Sequence, residues 1–202
     1  MKNKIKIMLE MQESINRHVH PDWPAQGFAW YRAIWTECAE LMEHYGWKWW
    51  KQQRPDADQV TLELIDIWHF GLSILIVEQR SLEHIEAQLH AGLEEQPAAE
   101  FREVLEAFTL DVLQTRSFDL TRFAHLMTLV DLDFDELYRR YVGKNMLNRF
   151  RQDNGYKTGS YIKVWNGLED NEVLIKVLQG TDTEAVDFAD RIYASLTQHY
   201  PG

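Results

Sequence analysis

Cysteine is nearly absent. Cys38 is the only one in 202 residues, so no internal disulfide can form, and a reducing, cytoplasmic setting is expected. Glycine and proline are also scarce, at ten and five. Tight turns are therefore few, which suits long helices. The longest mostly apolar stretch, 64–77, is interrupted by Asp66, His69 and Ser73 and falls short of the ~18–20 residues a membrane span needs. The opening MKNKIKIMLEMQ mixes charges into its apolar residues and lacks a small-residue cleavage site, so no signal peptide is expected. Positive charge is outnumbered, 21 Lys and Arg against 32 Asp and Glu, for a formal net charge of −11. That balance argues against a general nucleic-acid binder. What is present is core-forming material: 45% hydrophobic residues and eight Trp. This is enough for one folded domain over 1–202 and excludes wholesale disorder.

The charge is unevenly spread. Between Arg139 and Lys163 lie Arg139, Arg140, Lys144, Arg149, Arg151, Lys157 and Lys163, against the single acid Asp153. A cationic segment in an acidic chain points to an anion site. Periodicity along the chain is helical. It predicts helices over 3–18, 28–45, 59–79, 81–92, 98–115, 118–130, 133–152 and 183–199. Gly46 is read as a C-terminal stop, Asp58 or Asp56 as the third cap and Pro97 as an N1 residue. Asp133 or Asp131 should cap the seventh helix, and Asp182 or Thr181 the last. Gly155, Gly159 and Gly167 mark a long loop, and no strand ladder is evident. The fold class is all-α, a helical bundle with a four-helix core carrying a carboxylate site.

That site starts with the third helix. It is apolar nearly all round, from Val60 to Val77, so it should be buried. Its exceptions, Glu63, Asp66, His69 and Ser73, form one polar stripe at i, i+3, i+6 and i+10. Buried carboxylates cost several kcal/mol each unless something neutralises them. The second helix presents Glu37, Glu40 and His44 on one face. Antiparallel packing would bring Glu37, Glu40, Glu63 and Asp66 together, and their repulsion would be relieved by a hard divalent cation. Oxygen-only ligands favour Mg²⁺ or Mn²⁺ over zinc, with substrate phosphates completing the shell. The pattern points to phosphate chemistry with a metal-activated water. A lone E-x-x-E is ordinarily a solvated face, but the second pair interrupts a hydrophobic helix, which exposure does not explain. A di-iron reading has only Asp66-x-x-His69, with Glu63 a turn earlier. No other histidine has a carboxylate three residues before it.

Two cationic elements accompany the carboxylates. Trp47-Lys48-Trp49-Trp50-Lys51 follows the second helix. Its lysines are placed to offset phosphate charge, and its indoles either wall a base pocket or seal the core. Lys144, Asn148 and Arg151 share a helix face at i, i+4 and i+7, which suits a di- or triphosphate or, more plainly, a solvated basic face. Lys157, flanked by Gly155 and Gly159, and Tyr161 read as a loop that closes over a ligand.

At this point a family resemblance enters. The strings ECAELMEHYGWKWWK (37–51), ELIDIWHF (63–70) and YVGKNMLNRFRQDNGYKTGSYIKVWNGLEDNE (141–172) resemble the dimeric dUTPases, members of the all-α nucleotide pyrophosphohydrolases. In the first helix, Met11-Gln12 and Ile15-Asn16 resemble the family's L-Q…L-N element. The likeness does not extend through residues 80–130. It implies that Glu37, Glu40, Glu63 and Asp66 hold Mg²⁺, with Glu37 or Glu40 also acting on the attacking water. It implies phosphate contacts from Lys48, Lys51, Lys144, Arg151 and Lys157, with Asn148 and Tyr161 added. Gln12 and Asn16 would read deoxyuridine, and Trp50 is a candidate wall of the base pocket. The implied reaction converts dUTP, and also dUDP, to dUMP, in a homodimer, with no nucleic-acid or membrane partner. Two alternatives remain: a house-cleaning pyrophosphohydrolase for another nucleotide, and a nucleotide-binding protein that hydrolyses nothing.

Overall fold

The computed structural model describes residues 1–182, 185 and 187–202. Nine α-helices lie among them: α1 (Lys2–Val19), α2 (Trp30–Tyr45), α3 (Ala57–Val77), α4 (Leu82–Glu94), α5 (Phe101–Thr115), α6 (Leu120–Leu129), α7 (Phe134–Asp153), α8 (Asp170–Gln179) and α9 (Phe188–His199). A two-stranded hairpin, β1 (Val164–Trp165) and β2 (Leu168–Glu169), completes the described elements apart from two short 3₁₀ turns. The fold is all-α.

Several helix starts have a local cause. Asp56 accepts from the Gln59 amide, Ser81 from His84, Asp119 from Arg122 and Asp133 from Glu136, satisfying N–H groups that no helical carbonyl reaches. At the end of α2, Gly46 (φ +91°) donates its amide to the Met42 carbonyl.

α3 is the hub and packs on α1, α2 and α7. Its Leu64, Ile65, Ile67, Trp68 and Leu72 are fully buried. Trp68 stacks on Phe123 at 5.2 Å and donates its indole N–H towards the Met8 sulfur at 3.3 Å. By length and apolarity alone α3 could cross a membrane, but 67% of that stretch is buried inside the protein. α2 runs antiparallel to α3: Trp30 near its start stacks on Phe70, while the His44 carbonyl near its end accepts from the Asp56 amide. α4, α5 and α6 form a second group, joined to the first through α2·α5 and α1·α4 packing. A Cβ on Gly92 would lie 2.8 Å from the Thr121 carbonyl oxygen, so only glycine lets α4 sit this close to α6.

Three expectations need correction. Pro97 is not the N1 residue of the fifth helix; α5 starts at Phe101. Glu100 and Glu103 form a capping box there, and buried Phe101 anchors the first turn. The stretch expected as one long loop contains the hairpin and α8. Asn166 and Gly167 take φ of +52° and +88° between β1 and β2, the two-residue turn that Asn-Gly favours. Glu169 and Glu172 then form a second capping box, and Val173, Leu174, Val177 and Leu178 bury one face of α8. The last helix begins at Phe188, with Asp187 rather than Thr181 or Asp182 at its N-cap. Residues 183, 184 and 186 of the expected span lie outside the described residues.

Candidate active site

The antiparallel α2–α3 pair places Glu37 beside Glu63 and Asp66, with one carboxylate oxygen from each lying within 4.8 Å of the others. Glu63 is 5% exposed. Burial and then the Asp66 charge push the Glu63 carboxyl up to about 7. Burial and then Asp66 push Glu37 up to about 8, and Glu37 in its protonated form donates to Glu63. A buried and a half-buried acid sharing a proton is what carboxylates do when their repulsion is not otherwise neutralised. A divalent cation would replace that proton, and three hard oxygen donors fit one. Glu40 lies one turn on, outside the triad, but lines the same cleft of about 420 Å³. His44 Nε2 stands 3.6 Å from Glu63.

The opposite wall of the cleft comes from α7 and α8. Lys144, only 4% exposed, donates to Asp66 Oδ2 at 2.8 Å. Arg151 makes a two-pronged bridge to Asp170, Nε to Oδ2 and Nη2 to Oδ1, both at 2.8 Å. Its Nη1 reaches Asn148 Oδ1 at 3.2 Å. Tyr161 donates to Asp170 at 2.8 Å. Lys157 donates to the Val19 carbonyl at 2.6 Å. Lys163, which lines the cleft, pairs with Glu169 at 3.2 Å.

A second cavity of about 250 Å³ adjoins the first and shares Asp66, Arg151 and Tyr156 with it. Its walls are aromatic: Trp23, Phe28, Trp30 and Phe70. Its polar floor is a buried network. Gln12 Nε2 donates to Asn16 Oδ1 and Ser73 Oγ, while Gln12 Oε1 accepts from Tyr141 and meets His69 Nδ1 at 2.8 Å. That occupies both donors and both acceptor sites of Gln12. A carbonyl oxygen can only accept, so His69 Nδ1 carries the hydrogen and Nε2 is a bare acceptor. Nε2 is buried and has no partner. Burial and then the Lys144 charge hold the imidazole down to about 3, so it is neutral at physiological pH.

The structure thus gathers Glu37, Glu40, Glu63, Asp66, Lys144 and Arg151 around one cleft, with Asn148 and Asn16 facing the adjoining cavity. It does not bring in the Trp–Lys loop. Lys48 pairs with Glu43, and Lys48 and Lys51 line a separate shallow cleft with Arg102. Trp50 is 57% exposed and packs edge-on against Trp47 and Trp49. The aromatic wall of the cavity beside the carboxylates comes instead from Trp23 and Phe28, between α1 and α2, from Trp30 at the start of α2 and from Phe70 on α3. The di-iron alternative needs His69 as a ligand, but its Nδ1 is turned to Gln12 and it is not among the triad. Sequence reasoning assigned no role to Asp170 and Asn171, although they lie within the 141–172 string that resembles the family and within the capping box at 169–172.

The sequence profile of the family described as dUTPase matches residues 4–156, three-quarters of the chain. The match runs through 80–130, where the motif likeness had failed, and stops short of the hairpin and α8. Among curated proteins, none matches the chain. The matched span holds every carboxylate of the triad together with Lys144 and Arg151, and on it the chain belongs to the all-α dUTPase family, whose members hydrolyse dUTP.

Proposed function

We propose that this chain hydrolyses dUTP, and also dUDP, to dUMP with Mg²⁺ held by Glu37, Glu63 and Asp66. For dUTP the second product is pyrophosphate. The observation that carries the reading is the convergence of three carboxylates within 4.8 Å at the junction of a polar cleft and an aromatic cavity. When bound, the cation neutralises phosphate charge and makes water more acidic. The protein's own groups do the rest. Lys144 and Arg151 face the cleft that would take the phosphate chain, which suits a point charge and a planar fork. Glu40 lines that cleft without joining the triad, so it is the carboxylate free to accept a proton from the attacking water.

In the adjoining cavity the rings of Trp30 and Phe70 can flank a flat base. His69 Nε2, a bare acceptor, suits the N3–H of uracil, while the second N–H of Asn16 suits a carbonyl oxygen. Cytosine carries no hydrogen at N3, so the same acceptor opposes it. Gln12 orients both groups rather than facing the base. A homodimer in a cytoplasmic setting completes the reading; Trp35 on α2 and Leu110 and Leu113 on α5 leave large apolar side chains exposed.

A nucleotide panel tests the substrate. Pyrophosphate release from dUTP should far exceed that from dCTP, dTTP and UTP at saturating Mg²⁺. Preference for another nucleotide would overturn the assignment to uracil and leave the phosphate chemistry standing.

A further inference from the structure

We propose that Asp170 is a positioning residue that fixes the orientation of Arg151 from behind the cleft wall, and that Asn171, in the wall itself, ties Arg151 to Lys144, so that the start of α8 organises the phosphate-binding wall. The inference rests on the proposed nucleotide hydrolysis. It concerns residues beyond the span that the family profile matches.

Asp170 is fully buried and lines neither cavity, so it cannot touch a ligand lying in them. A carboxylate buried this completely is tolerated only with near-complete pairing. Its partners are Arg151 Nε, Arg151 Nη2 and the Tyr161 hydroxyl, all at 2.8 Å. A two-pronged bridge of this kind fixes the plane of a guanidinium as well as its place. It takes the Nε edge of Arg151 and leaves Nη1 as the end not held by Asp170. Arg151 itself lines both cavities.

Asn171, the next residue, extends the control. Its side-chain oxygen accepts from Lys144 Nζ at 3.3 Å and from Arg151 Nη2 at 3.4 Å. Lys144 in turn holds Asp66 of the carboxylate triad. One short chain of contacts therefore runs from a buried acid on α8, through both cations, to the triad. Both cations meet one acceptor, so a shift of α8 would misplace them together.

The competing account is that Asp170 and Arg151 merely fasten α8 to α7. Kinetics of Asp170→Asn, Arg151→Ala and the double variant separate the two. Asparagine keeps the shape of the side chain and removes the charge and one acceptor. In the wild-type background Asp170→Asn should lower kcat/KM for dUTP by roughly 10–100-fold, the scale of a misplaced binding group. In the Arg151→Ala background the same change should cost no more than about twofold, because two residues acting through one contact are not additive. Binding of deoxyuridine, which has no phosphates, should stay within about twofold of wild type by calorimetry, since neither His69 nor Asn16, the groups proposed to meet the base, is a partner of Asp170. Tyr161→Phe removes one hydrogen bond to Asp170 and keeps the ring. It should show a smaller loss with the same dependence on Arg151, and it carries the test if Asp170→Asn fails to fold. Equal losses with and without Arg151, or a matching loss of deoxyuridine binding, would overturn the inference. A wild-type chain inert towards dUTP would sink the proposed function and this inference together, whereas additive losses in an active enzyme would sink this inference alone.

Discussion

Removing divalent cations should make this protein lose stability as pH rises through neutrality. The cause is the pairing of buried Glu63 with half-buried Glu37. Glu63 and Glu37 are raised from an ordinary 4.5 to about 7 and about 8. A group whose folded value lies above its unfolded value binds protons more readily in the native state, so stability falls as pH climbs towards the folded value. His69 works in the opposite sense. Its value drops from 6.5 to about 3, so the unfolded chain takes up the extra proton and stability falls as pH drops below 6.5. The useful window is therefore pH 6.5 to 8, where the unfolded histidine is at most half protonated and its opposing contribution is small. Integrating the two carboxyl titrations over that window gives a loss of about 2 kcal/mol, from 1.36 kcal/mol per unit for each proton. For a chain of this size that lowers the melting temperature by roughly 4–8 °C. Calorimetric or fluorescence melts in EDTA across the window read it directly. With saturating Mg²⁺ the trend should vanish or reverse, because cation binding requires both carboxylates ionised. A melting temperature in EDTA that is flat or rising with pH would refute the shared-proton account of the triad.

Other outcomes follow from the same geometry. Asp66→Ala removes a triad oxygen and the partner of Lys144. Removing the outer partners of metal ligands typically costs about 10–100-fold, so loss of a ligand should lower kcat by more than roughly a hundredfold, and retained turnover would show that the triad is not the metal site. Gln12→Ala strips partners from His69, Tyr141 and Ser73 at once. It should lower stability by about 1–3 kcal/mol in urea unfolding and raise KM for dUTP, whereas a KM change with no stability change would mean that Gln12 meets the base directly. Gly92→Ala forces a methyl to 2.8 Å from the Thr121 carbonyl and 2.7 Å from the Ala124 methyl. It should cost about 1–3 kcal/mol with catalysis intact, and an unchanged denaturation midpoint would contradict the α4–α6 packing.

The helices and the triad were legible in the sequence because both are local. A hydrophobic helix interrupted at i and i+3 by acids must bury them, and Glu37 one helix earlier is brought to them by antiparallel packing. Caps such as Asp56 and Asp133 are read at short range for the same reason. The pocket's aromatic wall was not legible. Trp23 lies between helices, while Phe28 and Trp30 fell at the expected start of the second helix, and nothing local shows that the three line one cavity with Phe70 from another helix. The more prominent Trp47-Trp49-Trp50 run drew the assignment, yet those rings sit on the surface. Gln12 was singled out through the family resemblance, but its setting depends on four partners from α1, α3 and α7 that no spacing reveals. α8 was missed although Asn166-Gly167 and the Glu169–Glu172 box were both present, because three glycines in thirteen residues outweighed them. The positioning role proposed for Asp170 had no local sign, since its partners are Arg151, nineteen positions earlier, and Tyr161.

The most direct test of the account is phosphorus NMR of purified protein incubated with dUTP, once with Mg²⁺ and once with EDTA. The account predicts dUMP and pyrophosphate in the first sample and intact dUTP in the second. Products formed equally in EDTA would contradict the carboxylate triad as the metal centre, and intact dUTP in both would contradict the proposed activity itself.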